Sequence, residues 1–175
     1  MHDTSFSIMK ESQRFYFLTG FMGTGKTYWA KRMSALLKLK TFDLDSFIEQ
    51  KENVSIPNIF SKRGEADFRV LESRYLKELL KIPHNKVIIS LGGGTLIDHN
   101  NLRLVKEKGI LIWLKSNRYN FTIAEEKKRP LLADHTIEKL YTVRKQHYRF
   151  ADHSINIDRL NEDQIENNLK NIIEK

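Results

Sequence analysis

The chain has 175 residues, 40% hydrophobic and 30% charged, which suits one α/β domain with a real core. No run approaches the ~20 apolar residues of a membrane span, and the polar N-terminal stretch lacks the apolar centre of a signal peptide. The absence of cysteine excludes disulfides and thiolate metal sites and points to a reducing cytoplasm. The net charge of +8 lies in short basic clusters interleaved with acids, so charge alone leaves nucleic acid and small anions equally open as partners.

Residues 15–19 are a short apolar, aromatic run, predicted as a buried strand. It leads into Gly20-Phe21-Met22-Gly23-Thr24-Gly25-Lys26-Thr27, which satisfies the P-loop pattern G-x-x-x-x-G-K-[ST] in full. Glycines let the backbone curl so that successive N–H groups point into one concavity, where a polyphosphate can sit. Lys26 can reach the terminal phosphates, and the Thr27 hydroxyl can coordinate a magnesium ion carried by a nucleotide. Residues 26–37 are predicted as the helix whose N-terminal end faces those phosphates.

A second strand is expected at 40–44, ending at Asp43 and Asp45, with a short helix over 46–52. On a strand, residues two apart share a face, so this D-x-D can aim both carboxylates at the rim above the P-loop. One suits a water-mediated metal contact and the other a base for an attacking hydroxyl, whereas the plainer reading is a turn acid and a helix cap. Ser55 and Pro57 signal a helix start, and 64–80 carries an apolar stripe at helical spacing. Within that stripe Arg69 and Glu72, three apart, form either an exposed ion pair or a carboxylate grip with Glu72 holding the guanidinium.

Strand 87–91 runs into Gly92-Gly93-Gly94, where three bare residues expose backbone N–H groups to a ligand. A helix over 98–108 and a strand over 110–114 follow, with Trp113 assigned to the core. Residues 118–134 are polar and irregular. They hold Arg129-Pro130-Leu131-Leu132, with Arg129 either a solvated loop residue or a cation that closes over a phosphoryl group. A helix over 136–150 carries Arg144, a surface charge or a second carboxylate clamp, four residues before Tyr148. A last strand at 154–157 and a helix opened by an Asn161–Gln164 capping box complete the chain. Alternating strands and helices predict an α/β fold with a parallel sheet and ligands at the carboxyl ends of the strands.

Taken in order, the P-loop, D-x-D, G-E-x-x-F-R-x-x-E (64–72), G-G-G, R-P-L-L and R-x-x-x-Y resemble the pattern of the shikimate kinases, from Arg14 to the final helix. The resemblance implies a three-layer αβα P-loop kinase fold with a five-stranded parallel sheet and a lid at about 124–134. It implies transfer of the ATP γ-phosphoryl group to the 3-hydroxyl of shikimate, with Mg²⁺. Gly23, Thr24, Gly25, Lys26, Thr27 and Tyr28 would nest the ATP phosphates, and Thr27 and Asp43 would hold the metal. Asp45 would hold and deprotonate the acceptor hydroxyl. Arg69 and Arg144 would bind its carboxylate, Gly93 would contact it through backbone, and Arg129 would reach the γ-phosphate from the lid. Where family members usually carry arginines before the lid, this chain reads Tyr119-Asn120-Phe121-Thr122-Ile123, leaving Arg118 or Phe121 to cover adenine. The implied partners are ATP and shikimate, without nucleic acid or membrane, and the chain is expected to be monomeric. Rival readings are a gluconate or nucleoside monophosphate kinase, or a nucleotide-dependent binding protein that performs no transfer.

Overall fold

The short apolar runs become the strands of one parallel sheet in the computed structural model, which describes residues 14–117 and 137–175. In chain order the elements are β1 (Arg14–Thr19), α1 (Lys26–Leu37), β2 (Lys40–Asp43), α2 (Leu44–Glu52), α3 (Ile56–Leu79) and β3 (Lys86–Ser90). A 3-10 turn (Thr95–Ile97), α4 (His99–Lys108), β4 (Gly109–Lys115), α5 (Ile137–Tyr148), β5 (His153–Asn156) and α6 (Glu162–Glu174) follow. The strand order is β2-β3-β1-β4-β5, the three-layer arrangement expected from the sequence.

Alternation along each strand divides the core in two. Phe15, Phe17, Val87, Ile89, Leu111 and Trp113 point to the face covered by α2, α3, α4 and α5. Tyr16, Leu18, Ile88, Ile112 and Leu114 point the other way, onto Trp29 and Met33 of α1 and Ile165, Leu169 and Ile173 of α6. With both faces covered, the strands read as nearly continuous apolar runs. The capping box at α6 forms as expected, Gln164 N donating to Asn161 Oδ1 at 2.9 Å and Asn161 N to Gln164 Oε1 at 3.0 Å.

Three local expectations are corrected. The second strand ends at Asp43, not Leu44, because the Asp43 carboxylate accepts from Ser46 N at 3.0 Å and caps α2. Asp45 therefore stands in the first turn of a helix, and strand alternation does not account for its aim. Ser55 holds the N-cap position of α3 without a side-chain cap; Glu49 Oε1 instead accepts from Ile56 N at 2.8 Å. The helix expected at 64–80 is the second part of a longer one that is broken at Gly64, where φ is 79° and ψ 175°. Nothing lies within 4 Å of a Cβ placed there, so conformation rather than crowding calls for glycine. The remaining boundaries shift by one or two residues. The lid segment, with Arg129, Arg118 and Phe121, lies outside the described residues.

Candidate active site

In this strand order the chain leaves β1 for one side of the sheet and β3 for the other, which opens a crevice at the carboxyl ends of these two neighbours. Leu18 pairs with Ser90, and Leu91 N donates to Leu18 O at 3.0 Å. The P-loop after β1 and the triple glycine after β3 are thereby set side by side, on a cleft of about 880 Å³.

Gly23 and Gly25 take left-handed φ of 79° and 75°, which turns the loop into α1. Gly25 is the N-cap and offers no side-chain cap, so the first N–H groups of α1 remain available to an anion. Thr24 is buried, its hydroxyl bonded to Phe21 O at 2.8 Å. Lys26 Nζ donates to Gly20 O and Phe21 O, both at 3.0 Å, folded over its own loop. Thr27 Oγ1 donates to Asp43 Oδ2 at 2.5 Å and lies 3.5 Å from Ser90 Oγ. Tyr28 is 47% exposed, its hydroxyl 3.3 Å from Glu162 on α6 and 2.9 Å from Arg32 Nη1.

The triple glycine forms the floor of the other half, and its bareness is enforced by charged groups above it. A Cβ on Gly92 would lie 2.8 Å from Glu72 Oε1 and 2.9 Å from Asp45 Oδ1. One on Gly93 would lie 3.2 Å from Arg144 Nη1, and one on Gly94 2.7 Å from Arg69 Nη2. Sequence positions 45, 69, 72, 92–94 and 144 thus converge, drawn from α2, α3, the β3 loop and α5.

The two arginines differ in how they are held. Arg69 donates from Nη1 to Glu72 Oε2 at 2.8 Å and from Nη2 to Glu65 Oε1 at 2.9 Å. With 22% of its side chain exposed and Glu72 at 1%, this is a half-buried, oriented pair and not a solvated surface bridge. Arg144 is only 4% exposed, and its Nε has no partner among the described residues. Burial, with the Arg69 charge nearby, pulls its pKa below the ordinary arginine value, yet a guanidinium stays charged. It rests over the Phe21 ring at 5.7 Å, and no ion pair includes it among the described residues. A buried cation facing the cleft without a counter-ion is a seat for an anion. One turn later the Tyr148 hydroxyl donates to Gly93 O and fixes the glycine floor.

Burial, then the neighbouring Asp43 and Glu72 charges, push the Asp45 pKa up to about 7, against the opposing pull of Lys26 and Arg69. A carboxylate of that basicity beside a phosphate nest is suited to take a proton from a hydroxyl near neutral pH. Sequence reasoning missed Thr95, which bonds Glu72, and the wall of Ile56, Pro57, Phe60 and Phe68 that closes the cleft opposite the glycines. Phe60 and Phe68 pack with ring centroids 4.7 Å apart, tilted by 38°, across the Gly64 break. The break itself was the available signal, since a glycine inside a helical stripe suggests a bend.

Among the described residues no three His, Cys, Asp or Glu gather as a metal cage. Thr27 and Asp43 nevertheless give adjoining hard oxygen donors, which fits Mg²⁺ arriving with most of its ligands supplied by nucleotide and water. No described helix is long and apolar enough to cross a membrane.

The family model for shikimate kinase matches residues 22–174. A shikimate kinase from Staphylococcus epidermidis is 50% identical over 106 residues, a match that spans 61% of this chain and 61% of that protein. Another from a Sulfurihydrogenibium species is 35% identical over 153 residues, covering 85% of this chain and 91% of the relative. Among solved structures, shikimate kinase from Acinetobacter baumannii in complex with shikimate superposes with a TM-score of 0.78 at 29% identity, over 93% of this chain and 94% of that one.

Proposed function

The chain belongs to the shikimate kinase family, and from that premise we propose that it transfers the γ-phosphoryl group of ATP to the 3-hydroxyl of shikimate, yielding shikimate 3-phosphate and ADP. One observation carries the reading: an unpaired buried Arg144 and an oriented Arg69 lie above the same bare glycines as Asp45, in one cleft with the P-loop. Two guanidinium groups beside a base suit an acceptor that bears both a carboxylate and a hydroxyl. A nucleotide acceptor, which bears no carboxylate, explains this pair less well, and gluconate, itself a hydroxy carboxylate, is set apart by the family match.

In this reading Gly23 to Tyr28 wrap the phosphates with backbone N–H groups, and Lys26 leaves its loop carbonyls for the phosphate charge. Arg69 and Arg144 grip the acceptor carboxylate, and Gly93 contacts the ring through its backbone. Asp45 takes the hydroxyl proton as the new O–P bond forms and the bond to the ADP oxygen breaks. Arg129 adds a cation at the γ-phosphate. Mg²⁺, held by Thr27 and through water by Asp43, supplies charge neutralisation at the phosphates when bound. We read the protein as a single-domain, cytoplasmic monomer that uses no nucleic acid.

The test is an ADP-release assay with shikimate, gluconate and nucleoside monophosphates offered in parallel. Turnover confined to shikimate is expected. Preference for either other acceptor would overturn the assignment.

A further inference from the structure

Glu72 orients Arg69, and it is held in turn by a residue that does not itself line the cleft. Its Oε2 accepts from Arg69 Nη1 at 2.8 Å, while its Oε1 accepts from Thr95 Oγ1 at 2.5 Å. Glu72 is 1% exposed and Thr95 wholly buried, so the bond between them is shielded from water. Thr95 is itself fixed twice: its N donates to Gly92 O at 3.2 Å, and Asn101 Nδ2 of α4 donates to its carbonyl at 3.2 Å. A Cβ on Gly92 would meet Glu72 Oε1, Asp45 Oδ1 and Thr95 Oγ1 within 3.0 Å, so the three side chains share one point above the floor.

We propose that Thr95 is a positioning residue for acceptor binding, which acts through Glu72 to hold the buried side of the Arg69 guanidinium. The other edge of that guanidinium rests on the exposed Glu65, Oε1 accepting from Nε at 3.2 Å and Nη2 at 2.9 Å. A carboxylate with one oxygen claimed by Arg69 can still swing about its last torsion. The Thr95 hydroxyl removes that freedom, because a second bond from a rigid, buried donor fixes both oxygens. It also fixes the direction in which Arg69 offers its remaining N–H groups to a ligand carboxylate. Thr95 does not line the cleft, and its effect travels over two hydrogen bonds, from the 3-10 turn to the rim of the cleft.

The inference rests on the phosphotransferase reading, and the experiment separates the two. Shikimate and ATP affinities and steady-state constants are measured for the wild type, Thr95→Val and Thr95→Ser, and for each in an Arg69→Lys background. Valine keeps the shape and removes the donor, leaving Glu72 Oε1 buried and unpaired, so the acceptor Kd and KM should rise by roughly 10–100-fold with those for ATP nearly unchanged. Thr95→Ser should restore most of the loss. In the Arg69→Lys background Thr95→Val should add little, the non-additivity expected of residues acting as one unit. If valine does not fold, Thr95→Ala with the serine comparison serves the same purpose. Equal loss for both ligands, full additivity or no rescue by serine would each overturn the positioning role. A wild type that does not bind shikimate would overturn the function and this inference with it, whereas a wild type that binds and a valine variant that binds equally well would overturn the inference alone.

Discussion

Replacing Asp45 by asparagine should leave the protein nearly inactive and, above neutral pH, more stable. The carboxyl is raised from an ordinary 3.8 to about 7, chiefly by burial and then by Asp43 and Glu72. An acid with a raised folded pKa binds its proton more tightly in the native than in the unfolded state between those two values. Stability therefore falls as pH climbs through that window, and the whole penalty is present above about 7. At about 1.4 kcal/mol per pKa unit the ceiling is ~4 kcal/mol. Water entering the half-open cleft screens the charge, and ~1–3 kcal/mol is the figure to expect. For a domain of this size each kcal/mol moves Tm by ~2–4 °C. Between pH 5 and pH 8 about two-thirds of that window is crossed, so the Tm advantage of Asp45→Asn over the wild type should widen by roughly 1–8 °C. Turnover of shikimate should drop ~10²–10⁴-fold with ATP affinity retained, and wild-type kcat/KM should fall on the acid side of about pH 7. Thermal melts by circular dichroism across pH, run beside the ADP-release assay, measure both. A Tm difference that stays flat with pH would refute the burdened carboxylate, and near-normal turnover would remove Asp45 from the chemistry.

Arg69→Lys keeps the charge and loses the planar fork, so calorimetry should show weaker shikimate binding with ATP binding unchanged; equal weakening of both would mark Arg69 as purely structural. Arg144→Met removes a buried cation that lacks a counter-ion, so melts should show a free protein at least as stable as the wild type while acceptor binding is lost. Gly64→Ala forces a side chain into φ 79°, ψ 175° and should cost ~1–3 kcal/mol in denaturant titration, with a higher acceptor KM as the Phe60 wall shifts. Arg129→Ala should lower turnover far more than it lowers shikimate affinity, as read from kcat against Kd.

What could be read from the sequence follows from how local each signal is. The P-loop, the Asn161–Gln164 box and the apolar strands are set by residues within a few positions of one another, and the structure has them where the pattern puts them. Asp45 reads as a strand-end residue and stands in a helix because a D-x-D at a strand end looks the same whether the chain continues or turns. The Asp43–Ser46 cap that decides the matter is a single hydrogen bond. The Ser55 cap failed for a related reason: a carboxylate from the preceding helix, Glu49, reaches the orphan N–H of Ile56. Thr95 carries no pattern at all. Its partner lies 23 residues away in sequence, and only the packing of α3 against the glycine loop brings the two together. The choice between an exposed ion pair and a clamp for Arg69 likewise waited on burial, which periodicity gives only as a face and never as a depth.

The phosphate loop and the acceptor floor leave neighbouring strands at the same register, with Leu18 opposite Ser90 and the next rung closed by Leu91 N to Leu18 O. The two loops therefore leave the sheet one strand apart, ~4.8 Å, a length fixed by peptide hydrogen bonding and independent of side-chain identity. The sheet serves as a gauge block. Helices and loops around it can be redrawn to change what is held, as the separate wall of α3 invites, without moving the points from which the two loops start.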